Sequence, residues 1–465
     1  MSEALTLAKN SYFAFKKETT EGTAPTDAAE NIVKLLMDGA NFKLDKESIE
    51  TDYMDGVIDA GVPISGMYQD IGFSGKVNMA GGGSLTVAPH YNAILENVIG
   101  SFVTGVSGTV NATPTPTTKS FTIKGTPTVA ADDIIEVQTG ASTYEVTRVV
   151  TAGAPGATVA VTVYPYLSAA PLEDYAVRIG TTHKLLSTSF PSGSGFFYMN
   201  GSKKLIFTGC RGKGAFNLEV GKPVVFDFEM MAQGFTPSYT AIGYTPTLSV
   251  APWSTKSPIC LGITARAIYK GTQAASTTTT SVKISPYETT GQGLEAAAGD
   301  LMVLDTTGTG VWETKTVVTV TDSGGDPVTC TCSAFSAVNV GSVVYVIRNA
   351  NDCMRSLKIS VDNTIENNEC MTADYGVASS IVTKRAVNLE WDKRFRSWYD
   401  VHARNGIVSL ELLAVVGSVS GNKIVFYLPN VIRKEVGIDM KTVMDMNISG
   451  IGTGTANDSL FVAHL

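Results

Sequence analysis

The chain reads as runs of alternating apolar and polar residues broken by turns. In Ile71-Gly-Phe-Ser-Gly-Lys-Val-Asn-Met79, the apolar residues Ile71, Phe73, Val77 and Met79 fall at odd positions, with small or polar residues between them. A period of two predicts a strand with one buried face. The segment from Pro89 to Ile99 has a different period. Tyr91, Ile94, Leu95 and Val98 lie at helical spacing, Pro89 opens the segment and Gly100 closes it, which predicts a short helix.

Followed along the chain, the pattern repeats twice over. Residues 109–180 carry five apolar runs: Ser120–Ile123, Asp133–Val137, Tyr144–Val150, Val161–Val163 and Tyr175–Ile179. Residues 276–349 repeat them in order as Ser281–Ile284, Asp300–Leu304, Trp312–Val318, Val328–Cys330 and Val344–Arg348. Short strands with Gly, Ser, Thr and Pro between them predict a small barrel or sandwich in each.

The remaining stretches hold the second duplication. The first copy reads as strand Asn41–Asp45, an acidic loop over 45–59, strand Ile71–Met79, the helix, and strands Phe196–Met199, Lys204–Phe207, Ala215–Leu218 and Val224–Met230. The second reads as strand Ser356–Val361, a turn at Asp362–Ile365, strand Ser380–Leu389, a helix over Arg394–Ala403, and strands Ile407–Leu413, Lys423–Tyr427 and Thr442–Ile448. The expected fold is mainly β, with two duplicated β-sandwich or half-barrel domains, each with a short helix, and two inserted β-modules. The boundaries fall at 1–105, 106–182, 183–265, 266–350 and 351–465. The first domain is thus split around the first module.

Composition narrows the function. The 465 residues are 44% hydrophobic and carry a formal net charge of -8. A protein that grips nucleic acid usually has a basic face, and no Lys/Arg run is present. No basic leader and no apolar run long enough to span a bilayer are seen, so the expectation is a soluble protein made in a cytoplasm, with no membrane partner.

Candidate chemistry is sparse. Cys330 and Cys332 would share one face of a strand, as a metal or redox pair or as two small packed residues. His90, His183, His402 and His464 form no zinc motif. Pro191-Ser-Gly-Ser-Gly195 reads as a flexible turn and lacks the spacing of a nucleophile elbow. Trp253, Trp312, Trp391 and Trp398 offer sugar platforms or, more plainly, packing. No catalytic residue, cofactor site or metal site is expected, and the protein is read as a non-enzyme. The acidic residues Asp45, Glu47, Glu50, Asp52, Asp55 and Asp59 are the candidate site, either solvated or facing a channel or a neighbouring ring.

Several segments together resemble a known family. Phe15-Lys-Lys-Glu-Thr-Thr-Glu-Gly-Thr-Ala-Pro25 is similar to the start of many tail tube proteins of long-tailed bacteriophages. Pro89–Gly100, Gly209-Cys-Arg-Gly212 with Glu219–Pro223, Ser360–Glu366 and Ser380–Arg385 resemble later parts of the same family in the same order. The resemblance implies a virion tail subunit that stacks as rings around a channel for DNA ejection. With two tube domains per chain, a homotrimer of pseudo-sixfold symmetry is expected rather than a hexamer. Implied partners are further copies of the chain, the tape-measure protein and transient, non-specific DNA in the lumen, and the tail terminator and distal tail proteins. The other reading is a virion decoration protein or sugar-binding adhesin acting through the inserted modules.

Overall fold

A computed structural model of the chain describes residues 11–26, 32–36, 40–51, 62–79, 88–125, 127–164, 167–186, 188–199, 203–239, 260–286, 298, 301–308, 312–321, 328–350, 354–369, 377–394, 410–417, 423–440, 444–454 and 459–465. Strands β1 (Tyr12–Lys17), β2 (Ile32–Val33), β3 (Asn41–Thr51) and β4 (Val62–Asn78) lead to α1 (Asn92–Ile99) and β5 (Gly100–Val103). Next come β6 (Val106–Asn111), β7 (Ser120–Lys124), β8 (Ile134–Gln138), β9 (Tyr144–Ala152), β10 (Thr158–Tyr164) and β11 (Ala176–Ile179). They are followed by β12 (Thr181–Leu185), β13 (Gly193–Met199), β14 (Lys203–Glu219), β15 (Val225–Met231) and β16 (Gly234–Ser238). The next group is β17 (Cys260–Gln273), β18 (Ser281–Pro286), β19 (Leu301–Asp305), β20 (Trp312–Thr321), β21 (Val328–Cys332) and β22 (Val343–Ala350). The last is β23 (Met354–Glu369), β24 (Val377–Arg394), β25 (Leu410–Val416), β26 (Ile424–Asp439), β27 (Asp445–Gly452) and β28 (Phe461–His464).

The strand pairing repeats between the two halves. β3 pairs with β4, β4 with β15, and β15 with the second half of β14. In the same order, β23 pairs with β24, β24 with β27, and β27 with the second half of β26. The first half of β14 runs in a second layer beside β13 and β16, with β1 beyond β13. The first half of β26 likewise lies beside β25 and β28, with the first half of β17 beyond β25. The halves meet edge to edge, where Gly214–Glu219 of β14 pairs antiparallel with Ser356–Val361 of β23.

Alternation places the core between the layers. Residues 71–79 alternate buried and half-buried throughout, with Ile71, Phe73, Val77 and Met79 inside. Tyr91, Ile94, Leu95 and Val98 of the helix segment are fully buried in the same core. Phe216 stacks on Phe226 at 4.8 Å and meets Phe426 of the other half at 4.9 Å, so one core serves both copies.

Strands β6–β11 close a barrel in the order β10-β7-β6-β11-β8-β9. The second half of β17 and β18–β22 trace the same cycle of pairs, β17-β18-β21-β20-β19-β22 and back to β17. One clamp recurs in both rings of strands. Glu145 accepts hydrogen bonds from the backbone N–H (2.8 Å) and hydroxyl of Ser168, and Glu313 does the same with Ser336 (3.0 Å to its N–H). Cys330 and Cys332 point into the second ring's core beside Val282 and Phe335. No group of three or more metal-ligating side chains occurs among the described residues.

The first barrel is fixed to the other half. Ile134 and Val146 pack on Leu413, Val415, Val425, Tyr427 and Phe461. The fully buried Glu136 receives both Lys423 and Arg178, and the Arg148 guanidinium lies 5.5 Å from the Tyr427 ring centre. A buried carboxylate is tolerable only when paired in this way.

Three expectations need correction here, and a fourth falls almost wholly outside the described residues. Asp45, Glu47 and Glu50 are not in a loop but in β3, which pairs with β4 as far as Thr51 opposite Val62. Hairpin pairing satisfies the backbone there, and the exposed Asp45 side chain does not oppose it. Asp52, Asp55 and Asp59 lie outside the described residues. The turn expected at 362–365 is continuous strand, because Asn363 pairs with Arg385 and a bulge at Thr364/Ile365 absorbs the irregularity. Lys204–Phe207 and Ala215–Leu218 are one strand, β14. Of the second predicted helix, Arg394 closes β24 and the remainder, with Trp398 and His402, lies outside the described residues.

Two histidines are buried where β12 meets β28. Burial pushes His183 well below its ordinary pKa and His464 down to about 4. The Tyr91 hydroxyl lies 3.3 Å from His464 Nε2. In the unfolded chain both histidines titrate near 6.5, so between about 4 and 6.5 the unfolded state binds more protons. The stability is therefore complete above about pH 6.5 and falls as the pH drops toward 4, by roughly 3 kcal/mol for His464 alone. Thermal unfolding between pH 4 and 8 should show this decline, and His464→Gln should make it shallower, leaving the part due to His183. An unchanged slope in the variant would remove His464 as its origin.

Candidate functional site

The outer face of the joined sheet, β3-β4-β15-β14-β23-β24-β27-β26, is polar because each strand alternates. Asp227 and Glu229 alternate with the buried Phe226, Phe228 and Met230, and Lys358 and Ser360 with Leu357, Ile359 and Val361. A shallow concavity crosses the junction of the halves, from Ser74 and Asp227 through Lys213 and Lys358 to Glu390 and Ser449.

Its charges oppose one another across strands. Lys76 lies 3.9 Å from Asp227, Lys213 3.0 Å from Glu229, and Lys358 3.5 Å from Glu390. Asp362 accepts from the Asn388 amide at 2.6 Å, and Asp392 from the Ser356 hydroxyl at 2.7 Å. Burial raises the Asp227 carboxyl, and Lys76 and Lys358 oppose that shift. Solvent-exposed pairs of this kind contribute under about 1 kcal/mol each, so their effect is mainly on surface potential. A lysine already facing a carboxylate makes a poor phosphate clamp.

The segments that carry the family resemblance converge behind this face, where the halves join. Glu18 is buried and accepts four hydrogen bonds: from the hydroxyls of Ser192 (2.8 Å) and Ser194 (2.5 Å) and the backbone N–H groups of Gly22 (2.9 Å) and Gly209 (2.8 Å). Pro191–Gly195 is therefore not a flexible turn but leads into β13. Gly209 has φ +63°, which favours glycine, and a Cβ there would sit 2.4 Å from the Gln233 side chain and displace it. Glu21 holds Arg211 at 2.8 Å, contacts Gln233 and accepts from the backbone N–H of Ser380 at 3.1 Å, reaching the second copy.

A second contact runs in the other direction. Arg385 of β24 donates to the carbonyls of Val98 (3.0 Å), Ile99 (2.6 Å) and Leu186 (3.1 Å) and to Asn363 Oδ1 (2.7 Å). Asn363 donates to Val98 and Gly212 carbonyls. The cation thus closes the C-terminal end of α1, where helix carbonyls lack partners and a positive charge is favoured. Burial lowers the guanidinium pKa to about 10, so it stays charged at neutral pH.

The acidic candidates lie elsewhere. Asp45, Glu47 and Glu50 are on the arm of hairpin β3–β4 that runs past its last pairing with β15, Gly72 opposite Met231. The β23–β24 arm extends from the same end, past Val361 opposite Gly214. The opposite end carries the β14–β15 turn with Val220 exposed, and Met440 and Met444 exposed beside β26 and β27. Sequence reasoning missed the cross-strand lysine–carboxylate pairs and the Glu18 and Arg385 contacts. The pairs have a signal only once register is known. Glu18 and Arg385 stood in segments noted for likeness, with no chemistry assigned.

A family model described as "Phage tail tube protein" matches residues 8–286. The chain belongs to the phage tail tube protein family, a structural component of the virion tail that assembles with itself into a tube. No curated protein matches it. Residues 287–465 lie beyond the family match, and within them the pairing order of the first copy recurs.

Arg385→Ala should strip the Ile99 and Leu186 carbonyls of this donor and leave Val98 to Asn363 alone, at a cost of about 3 kcal/mol or more. The thermal midpoint should drop by several degrees, and Arg385→Lys should recover only part, because a point charge cannot reach the same set of acceptors. An alanine variant as stable as the parent would show that the contact contributes nothing.

Proposed function

We propose that the chain is the repeating subunit of a bacteriophage tail tube, that three copies close a pseudo-sixfold ring, and that its polar sheet face lines the channel through which DNA passes during ejection. The observation that carries this reading is the edge-to-edge junction of two like halves. Each half offers one edge strand and receives another, so the contact is heterologous and can propagate around a ring. Three chains supply six such halves.

The polar face suits a conduit. DNA must slide without sticking, and this face opposes its lysines with carboxylates. The first barrel packs on the outer side of the second layer, across the core from the polar face, so in a ring it would project outward. On this reading 1–105 with 183–265 and 351–465 are tube domains, and 106–182 and 266–350 are outward modules. The hairpin arms, with Asp45, Glu47, Glu50, Asp52, Asp55 and Asp59 on the first, would reach the exposed turn end of the next ring. The tape-measure protein would occupy the lumen during assembly in the host cytoplasm, and tail terminator and distal tail proteins would cap the two ends.

Negative-stain electron microscopy of purified protein over a concentration series should show rings or tubes with three- or sixfold outlines and a hole of about 20 Å or more, wide enough for duplex DNA. Dispersed monomers at every concentration would refute the reading. A double variant, Asp227→Asn with Glu229→Gln, removes the carboxylates facing Lys76 and Lys213. Its tubes should retain DNA in co-sedimentation at about 50 mM salt and release it near 200 mM. Retention no greater than the parent's would argue against this face as the lumen.

A further inference from the structure

Strand β28 ties three parts of the chain together. It lies between Thr181–Lys184 of β12 on one side and Ile424–Tyr427 of β26 on the other. β12 pairs in turn with β5, which follows α1 of the first half. Alternation gives β28 two faces. Phe461, Ala463 and the following Leu465 pack with Ile134 and Val146 of the first barrel, whereas Leu460 and Val462 belong to the central core.

The core side of this seam carries two histidines. His183 of β12 stands opposite Val462, and His464 of β28 stands opposite Thr181. Both are buried, and their ring centres are 5.7 Å apart. The Tyr91 hydroxyl lies 3.3 Å from His464 Nε2. His90 sits edge-on to the Tyr91 ring at 5.1 Å, and burial, followed by the charge of Lys34, pushes it down to about 4. β5 carries no charged side chain, and β28 none besides His464. The carboxylates on the other elements around the seam are engaged with cations. Glu96 of α1 meets Lys17, Asp133 meets Lys184, Glu136 meets Lys423 and Arg178, and Asp132 meets Arg148.

We propose that β28 is an acid-sensitive latch: when His183 and His464 take up protons, the strand leaves its place between β12 and β26 while the joined sheet stays folded. Charging a buried imidazole costs its desolvation, and a second charged ring beside the first adds repulsion. The strand has four residues, so releasing it costs less than unfolding the whole core. Release puts His464 in water and uncovers His183, so one opening relieves both. It also removes Phe461, Ala463 and Leu465 from the barrel contact. The first barrel then rests on Leu413, Val415, Val425 and Tyr427 alone and loosens. The latch is a property of the single chain and does not depend on the ring reading.

Amide hydrogen exchange of the full chain, followed from about pH 7 to pH 4 and expressed as protection relative to the unfolded chain, tests this. Between about pH 6.5 and 4.5, protection of residues 461–465 should fall by roughly 40-fold from His464 alone, and by more than about a thousand-fold with His183. At about pH 4.5 these amides should exchange at least about tenfold ahead of those of β14 and β15. Equal protection in the two places, or protection of 461–465 that ignores pH, overturns the latch. His183→Gln with His464→Gln should make the protection of 461–465 flat over this range, and a retained slope removes the histidines as its cause. Should that double variant misfold, titration of the parent's histidine ring protons decides. Protonation that tracks the loss of protection supports the latch, and both rings protonating near pH 6.5 with 461–465 still protected overturns it.

Discussion

A β-sheet that ends in solvent leaves a row of backbone donors and acceptors without protein partners, and this constraint organises the molecule. Inside the chain it is met where β14 takes β23 as its neighbour and the edge of one copy becomes the interior of a larger sheet, and again where β12 takes β28. Around the first pairing everything else is arranged. Glu18 and Glu21 hold the turn after β1, and Arg385 and Asn363 tie the second copy to the helix of the first. The core between the layers is continuous because the sheet above it is continuous.

Magnitudes separate what stabilises this fold from what serves its surface. Aromatic contacts such as Phe216 with Phe226 and Phe426 add about 0.5–1.5 kcal/mol each beyond the area they bury. The exposed pairs Lys76–Asp227, Lys213–Glu229 and Lys358–Glu390 add little to stability. Their geometry matters for what the face does not bind. Buried polar groups lie between these limits. Glu136 with Lys423 and Arg178 contributes little as a pair relative to an apolar contact, yet loss of one partner would strand a charge. Such a clamp specifies where the first barrel sits more than how tightly it holds.

Much of the fold was legible because alternation and helical spacing are local signals. Ile71, Phe73, Val77 and Met79, and Tyr91, Ile94, Leu95 and Val98, sit where their spacing places them. The strands of the two inserted rings were read in order. Their sixth strand was not, because β6 and the end of β17 resemble connecting segments until closure gives them partners. Asp362–Ile365 looked like a turn by composition, and tertiary pairing with β24 overrode it. The polar face was the least legible part. Lys213 and Glu229, or Lys358 and Glu390, meet through register, which a single strand's sequence does not contain.

β14 and β26 each run through both layers without a break, and Gly209 marks the passage in the first. A sandwich whose layers share strands cannot shear one layer over the other without stretching covalent backbone. The subunit is therefore stiff in that direction, and on the proposed reading the bending of a tail would fall to the contacts between subunits.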